Sequence, residues 1–186
     1  LLPVLIILVI WITPSRQEYI WMMVEEKSAS PNVQVESMDV DKLAFEVIHN
    51  AHRYNIIDLR DTTDYKSVIP SSMHIPLQKL DAQPYRTFFV QPYKKNIFVA
   101  ENPDDARKAA ILARHFGDRD PIILEASVSH FKQEIFNFSE SLKEEDPDTW
   151  RFRNDARIIL IQMQERLKNL SKPVIKEVRI IEGGCT

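Results

Sequence analysis

Three groups of residues have types and positions suited to chemistry. Asp58 and Arg60 are a carboxylate and a guanidinium two residues apart, residues 100–105 form a polar segment, and Cys185 is the chain's one thiol. A single cysteine excludes an internal disulfide and a multi-cysteine metal site, but it leaves a free thiol or an intermolecular bond open. What these groups can do depends on the elements that place them.

The residues around these groups alternate between buried-strand and amphipathic-helix patterns. Continuous apolar runs are typical of buried parallel strands, and apolar residues at three- and four-residue spacing are typical of helices. The predicted strands are residues 54–59, 73–75, 96–100 and 121–124, and the predicted helices are 37–48, with Ser37 as N-cap, 104–116 and 129–138. This alternation predicts an α/β fold with a parallel central sheet flanked by helices. Functional groups of such sheets lie at the carboxyl ends of the strands, so Asp58, Arg60 and residues 100–105 are expected side by side at that edge.

Residues 55–77, NIIDLRDTTDYKSVIPSSMHIPL, resemble the front half of a rhodanese (sulfurtransferase) domain. The match is to the pattern IDxR, then [DE][YF], then HIPGAxxIPL. The similarity continues through residues 95–99 and the helix with Ala109 and Ala110, to about residue 138. The resemblance implies a rhodanese-like domain over residues 37–140.

The resemblance also shows what is missing. In rhodaneses a loop of the form CxxGxR follows the central strand, and its backbone N–H groups lower the pKa of the sulfur-carrying cysteine. The matching residues here are Ala100, Glu101, Asn102, Pro103, Asp104 and Asp105, with Ala100 at the nucleophile. A methyl group cannot attack sulfur, Pro103 lacks an amide donor, and the loop's carboxylates oppose an anionic substrate. We therefore predict a degenerate loop, and the same absence argues against a cysteine-dependent phosphatase.

Asp58 and Arg60 do match the family pattern. The resemblance implies that this pair mostly orders the carboxyl edge of the sheet, and a binding role for Arg60 is the alternative. Other positions depart from the pattern: Val68 replaces the His of HIP, Ser71-Ser72 replace Gly-Ala, and Ala126-Ser127 replace a late Gly-Gly.

The chain opens with an uncharged apolar run, LLPVLIILVIWIT, at residues 1–13. A full membrane span needs ~20 apolar residues, but this run is apolar on every side, and Trp11, Tyr19 and Trp21 flank its end as aromatic residues do at a membrane boundary. No A-x-A cleavage pattern follows it. We predict an uncleaved signal-anchor over residues 1–17, in preference to a removed signal peptide or a core helix, and then a linker over 18–36.

Residues 141–186 are predicted to form a C-terminal helix and a flexible Gly-Gly-Cys-Thr tail. The helix, 148–170, has an apolar stripe that either packs back on the domain or binds a partner. The tail is the only place where thiol chemistry could reside. Cys185 is an incidental thiol, a persulfide-carrying group on a swinging tail, or the site of a disulfide or cofactor linkage.

Composition limits the remaining classes of function. With 44% hydrophobic and 27% charged residues the chain is an ordinary folded protein, and a net charge of −3 does not favour nucleic acid. Of five histidines only His49 and His52 lie a helical turn apart, and none has HExxH spacing. We predict no metal and no cofactor.

The sequence thus favours a membrane-anchored, noncatalytic rhodanese-like module that binds or scaffolds a protein partner in sulfur handling. The membrane contact is assigned to residues 1–13. The chain looks similar throughout to anchored rhodanese-like proteins of some Gram-negative bacteria, and we expect the soluble domain in the periplasm. One alternative is a sulfurtransferase or sulfur carrier that uses Cys185 as its persulfide site. Another is an interaction protein that works through helix 148–170.

Overall fold

The computed structural model describes residues 15–61 and 66–170. Its strands are β1 (Glu36–Met38), β2 (Tyr54–Asp58), β3 (Met73–His74), β4 (Lys95–Val99) and β5 (Ile122–Leu124). Its α-helices are α1 (Arg16–Ala29), α2 (Val40–Asn50), α3 (Gln83–Arg86), α4 (Pro103–His115), α5 (Val128–Phe136), α6 (Leu142–Glu145) and α7 (Pro147–Leu170). Short 3-10 helices occupy Ala51–Arg53, Leu77–Lys79 and Thr87–Val90.

The five strands of these described residues form one parallel sheet in the order β1-β5-β4-β2-β3. β2 and β4 lie at its centre, where alternate side chains point to opposite faces and both faces are buried. Ile57 and Phe98 pack on one face, and Ile56 and Ile97 pack on the other. The predicted parallel sheet flanked by helices is therefore confirmed.

Each face of the sheet is covered by a different set of helices. On the face of Ile57 and Phe98, α1 and α4 form one apolar cluster with the sheet. On the opposite face, α2, α5 and α7 form the second cluster, which includes Leu43, Phe131 and Leu160. The two helical layers cover the faces of the sheet but not the carboxyl ends of its strands. The connecting loops lie at these ends, and the predicted site residues lie there too.

Strand β1 differs from the sequence prediction, in which Ser37 begins a helix as its N-cap. Ser37 lies within β1 and pairs with Ile123 of β5. The helix N-cap is Asp39, whose carboxylate accepts a hydrogen bond from the N–H of Lys42 at 2.7 Å. β1 has three residues, two of them polar, so its extended backbone is set by pairing with β5 rather than by an apolar run of its own.

Residues 18–36, predicted as a linker, contain most of helix α1 instead. The helix starts with a capping box: Ser15 Oγ accepts from the N–H of Glu18 at 3.2 Å, and the Glu18 carboxylate accepts from the N–H of Ser15 at 2.7 Å. Ile20 and Val24 are buried against α4. The helix therefore has both a local start signal and a packed face.

The segment after α1 is held by side chains of α4. The Arg107 guanidinium donates to the carbonyl oxygens of Ser28, Ser30 and Val33 at 3.1, 3.2 and 2.5 Å. Lys108 pairs with Glu25 of α1 at 2.7 Å, and this hydrogen bond raises the pKa of the Lys108 ammonium. α1 and its connection to β1 are thus fixed to the domain.

Helix α7 packs back on the domain through Ala156 and Leu160, which are buried against α2 and α5. Arg153 strengthens this contact because it binds Asp41 of α2, at 2.9 and 3.0 Å, and Glu134 of α5. Burial lowers the pKa of Arg153, but its hydrogen bonds and the two carboxylate charges outweigh burial and raise it above the ordinary value. The guanidinium therefore stays charged and ties three helices together.

At the amino ends of β2 and β4 a buried polar network replaces apolar packing. Asn55 and Asn96 are register partners, and Asn55 Nδ2 donates to Asn96 Oδ1 at 3.1 Å and to Gln91 Oε1 at 3.2 Å. Asn96 Nδ2 donates in turn to Asp118 Oδ2 at 2.7 Å and to the Phe88 carbonyl at 3.0 Å. Buried amides cost free energy unless they are paired. Here they are paired, and they join the chain before β4 to the turn after α4.

Asp118 is expected to make stability pH-dependent. Burial raises its pKa above the ordinary value of 3.8 and outweighs the hydrogen bonds from Asn96 and the Asp120 N–H, which lower it. The folded state then binds this proton more readily than the unfolded state, so Asp118's contribution to the free energy of unfolding falls as pH rises from 3.8 through the folded-state pKa. Urea denaturation at a series of pH values should show this fall, which Asp118→Asn removes. An NMR titration that puts the Asp118 pKa at or below 3.8 contradicts the prediction.

Several predicted features lie outside the described residues: the anchor at 1–13, Asp64 and Tyr65 of the front motif, and the tail with Cys185. Within residues 15–61 and 66–170, no helix is both long enough and apolar enough to cross a bilayer. In the same residues, no group of three or more His, Cys, Asp or Glu side chains is arranged to hold a metal ion.

Candidate functional site

The carboxyl edge of the sheet brings the predicted site residues together. Asp58 is the last residue of β2, and its register partners are Val99 of β4 and His74 of β3. The pairing continues beyond the strand, since the N–H of Leu59 donates to the Val99 carbonyl at 2.9 Å. Ala100 follows Val99 directly, so Asp58 and Ala100 lie at neighbouring strand ends.

Asp58 and Arg60 form a bidentate ion pair. Arg60 Nε lies 2.9 Å from Asp58 Oδ1, and Arg60 Nη2 lies 2.7 Å from Asp58 Oδ2. The Asp58 side chain is fully buried and that of Arg60 is 16% exposed. Arg60 Nη2 also donates to the Lys66 carbonyl at 3.2 Å, and the Arg60 carbonyl lies 2.6 Å from His74 Nε2. The guanidinium thus binds groups of the protein itself and fixes the chain that leaves β2.

Ala100 is 3% exposed and belongs to the apolar cluster that includes Leu59, Ile75 and Ala106. Its carbonyl oxygen accepts a hydrogen bond from the N–H of Val128, at 3.0 Å, where α5 begins. The backbone at this position is therefore held between β4 and α5, while the side chain offers only a methyl group. A methyl group provides neither a nucleophile nor a hydrogen bond.

The loop after Ala100 uses its own side chains to satisfy nearby backbone N–H groups. Asn102 caps α4 by accepting from the N–H of Asp104 at 3.1 Å, and Pro103 is the first residue of that helix. Glu101 Oε2 accepts from the N–H of Ser129, at 3.3 Å, in the first turn of α5. Carboxylates near helix N-termini are favourable, by ~0.3–1 kcal/mol each. The N–H groups of Asp104 and Ser129, at the starts of α4 and α5, thus have internal acceptors, and the loop is acidic.

The turn before β3 keeps a special backbone conformation. Ser71, which replaces a glycine of the rhodanese pattern, has a φ of +64°. This left-handed conformation costs a side-chain-bearing residue ~1–2 kcal/mol, which explains why glycine suits the position. Ser67 Oγ helps to hold the turn through the Ile69 carbonyl, at 2.6 Å, and lies 3.0 Å from Ser72 Oγ.

Helix α1 contributes a wall beside the loop that the sequence analysis did not anticipate. A cleft of about 410 Å³ is lined by Gln17, Trp21, Glu25, Leu77, Gln78, Asp105 and Lys108. Trp21 and Glu25 reach it because α1 packs on α4. The sequence signal that could have located α1 is the S-x-x-E capping box at Ser15 and Glu18.

Comparison with known proteins gives matches among solved structures alone. No family model matches the chain, and no curated protein matches it. A protein of unknown function from Rhodopseudomonas palustris, described as a possible tyrosine phosphatase, is 21% identical, covering 65% of this chain and 92% of that one, with a TM-score of 0.46. A single-domain sulfurtransferase from Saccharomyces cerevisiae is 21% identical, covering 55% and 92%, with a TM-score of 0.43.

A second Saccharomyces cerevisiae protein, a homolog of single-domain rhodanese and the Cdc25 phosphatase catalytic domain, is 14% identical. It covers 61% of this chain and 84% of its own, with a TM-score of 0.41. The structural neighbours therefore include rhodanese-like proteins.

Proposed function

We propose that the protein is a membrane-anchored, noncatalytic rhodanese-like module that binds or scaffolds a protein partner in sulfur handling. The observation that carries the proposal is Ala100, a buried methyl group at the end of the central strand β4, beside the Asp58 and Arg60 ion pair. Rhodanese chemistry needs a thiolate at the position that Ala100 occupies here, and the methyl side chain of alanine cannot replace a thiolate.

The surroundings of Ala100 argue in the same direction. An anion cradle needs unoccupied N–H donors and a positive field. Here Asn102 and Glu101 already accept from N–H groups at the starts of α4 and α5. Exposed carboxylates at Glu101 and Asp104 repel thiosulfate or a persulfide anion. Arg60 does not offset them, because its guanidinium is engaged by Asp58.

The anchoring part of the proposal rests on residues 1–13 and on the start of α1. Tyr19 and Met22 are 65% and 63% exposed, close in sequence to the apolar run. Exposed aromatic and apolar side chains at such a position suit a membrane–water boundary. The soluble domain is assigned to the periplasm. Alkaline carbonate extraction tests the anchor: the full chain should stay with the membranes, and its release would contradict anchoring.

The conventional reaction is tested by thiocyanate release from thiosulfate and cyanide. The full chain in detergent is expected to give no more thiocyanate than a buffer blank, because no thiol lies at position 100. Cys185→Ser is the matched variant. Activity in the wild type that is lost in Cys185→Ser would overturn the noncatalytic proposal.

A second candidate function is a sulfur carrier or sulfurtransferase that uses Cys185. The supporting observation is that this is the chain's one cysteine and follows two glycines, which allow wide backbone freedom. A thiol can be persulfidated reversibly. Treatment with a persulfide donor and intact-mass analysis should then show a gain of one sulfur that Cys185→Ser abolishes. No gain in the wild type would dismiss the carrier.

Restoring the thiol alone is expected not to restore the site. In a Cys185→Ser background, Ala100→Cys should have a thiol pKa at or above the ordinary ~8.5, because burial and the neighbouring carboxylates disfavour a thiolate. Thiolate absorbance at 240 nm against pH measures this pKa. As the matched control, adding Pro103→Gly and Asp105→Arg returns an amide donor and a cation, and should lower it. A pKa well below 8.5 in Ala100→Cys without these changes would show that the cradle persists.

A further inference from the structure

A cleft at the opposite, amino edge of the sheet is unrelated to the loop after Ala100. It has a volume of about 720 Å³ and lies where β2 and β4 begin and α4 ends. The lining residues are Arg53, Tyr54, Phe89, Val90, Gln91, Pro92, Tyr93, Lys94, Lys95, Gly117, Asp118, Arg119 and Asp120. Its size is within the range of small-molecule sites.

The walls of this cleft are held in place from behind. Asn96 binds both the Phe88 carbonyl and Asp118, and so joins the two chain segments that face each other across the cleft. Gly117, at a φ of +110°, brings the second wall close to the first: a Cβ there would lie 3.3 Å from Val90 Cγ1. The cleft is therefore preformed, which reduces the ordering cost of binding.

Four basic side chains line the cleft, in a chain whose net charge is −3. Lys95 pairs with Glu36 at 3.5 Å. Within the described residues, no ion pair or hydrogen bond is made by the charged groups of Arg53, Lys94 and Arg119. All three side chains are exposed. Of the two carboxylates in the lining, Asp118 accepts from Asn96 and from the Asp120 N–H. Three cations that form no ion pair therefore line one preformed cleft, and Asp120 contributes the one exposed carboxylate of that lining.

An aromatic ring stands in the same lining. Tyr93 is 91% exposed and lies in the single turn between Gln91 and Lys94, so its ring packs against little of the protein itself. A flat ring beside guanidinium and ammonium groups suits a ligand that combines a phosphate with a planar organic part.

We propose that the amino-edge cleft binds a phosphorylated small molecule, with Arg53, Lys94 and Arg119 contacting its phosphates and Tyr93 its organic ring. This site is separate from the carboxyl edge and does not depend on the function proposed for that edge. Three exposed cations favour the phosphate of this ligand, and one exposed ring favours its planar organic part. The Asn96 contacts hold the walls of the cleft in place for both.

The test is calorimetric titration of the full chain in detergent with two probes, pyrophosphate and ADP. Both should bind with 1:1 stoichiometry and weaken as salt is raised, because the contacts are charged. Arg53→Ala/Lys94→Ala/Arg119→Ala should weaken both probes by at least about 100-fold, since the variant removes three charge-assisted contacts to phosphate. Lys132→Ala, an exposed lysine of α5 away from the cleft, is the matched control and should bind like wild type.

Tyr93→Ala separates the ring contact from the charge contact. It should weaken ADP by about tenfold, because the variant loses the stacking of the base on the aromatic ring, and it should leave pyrophosphate unchanged. Equal loss for both probes would overturn the role given to Tyr93. Failure of the wild type to bind either probe, or wild-type affinity in the triple variant, would overturn the site. These variants change exposed side chains, and their thermal unfolding confirms that each is folded.

Discussion

Arg60→Ala is expected to lower the free energy of unfolding by about 3–5 kcal/mol, the usual cost of leaving a buried charge without its partner. Asp58 is fully buried, and Arg60 neutralises it through two short contacts. The variant also loses the contact to the Lys66 carbonyl, which holds the chain after β2. Urea denaturation of both proteins in the same detergent measures the difference.

Two further variants show whether the loss comes from the uncompensated carboxylate. Asp58→Ala/Arg60→Ala should be less destabilised than Arg60→Ala, because removing both partners leaves no buried charge. Arg166→Ala, an exposed arginine of α7, controls for arginine replacement in general and should change stability by less than about 0.5 kcal/mol. A loss below about 1 kcal/mol for Arg60→Ala would contradict the ordering role and favour a binding role for Arg60.

Leu160→Ala is expected to cost about 2–5 kcal/mol, as a large-to-small change in a packed core usually does. Leu160 has no exposed surface and packs in the cluster formed by α2, α5 and the sheet. The neighbouring Ile161 is 41% exposed on the same helix. Ile161→Ala is thus a matched control with a similar loss of volume, and its cost should be below about 1 kcal/mol.

The comparison of Leu160→Ala with Ile161→Ala also decides between two interpretations of helix 148–170. The structure has this helix packed on the domain through Ala156 and Leu160, with Arg153 bound to Asp41 and Glu134. Equal and small losses for the two variants would mean that α7 contributes little to the fold. In that case the interpretation of α7 as a partner-binding helix would gain support.

The parallel sheet could be predicted because each central strand contains a run of apolar residues, at 56–57 in β2 and 97–99 in β4. The predicted strands at 54–59 and 96–100 match β2 and β4: the start of β2 agrees, and the other three boundaries differ by one residue. α4 was equally clear, because its alanine-rich face has helical spacing and its ends have Pro103 and Gly117. These signals are local, so no knowledge of the tertiary structure was needed.

β1 and α1 could not be predicted in the same way. β1 has Glu36 and Ser37 among three residues, and its extended form depends on its partner β5. α1 also depends on a distant element, because its two buried residues, Ile20 and Val24, pack against α4. Its capping box was visible in the sequence, but the polar break at residues 28–31 suggested a linker.

The candidate site was predicted in its backbone arrangement but not in its contacts. The carboxyl ends of β2 and β4 had to be neighbours, which placed Asp58 near Ala100. The Glu101 contact with Ser129 joins residues 28 apart in sequence and depends on where α5 begins. The Asn55, Asn96 and Asp118 network depends similarly on strand register, which the sequence leaves undetermined.

Arg107 has a mechanical consequence for the whole molecule. It donates three hydrogen bonds to the carbonyl oxygens of Ser28, Ser30 and Val33, and Lys108 pairs with Glu25. These contacts oppose rotation of α1 relative to α4 and the sheet. A change in the orientation of α1 would therefore be transmitted to the rest of the domain. A tilt imposed on α1 would rotate both edges of the sheet through the same angle, as one rigid body.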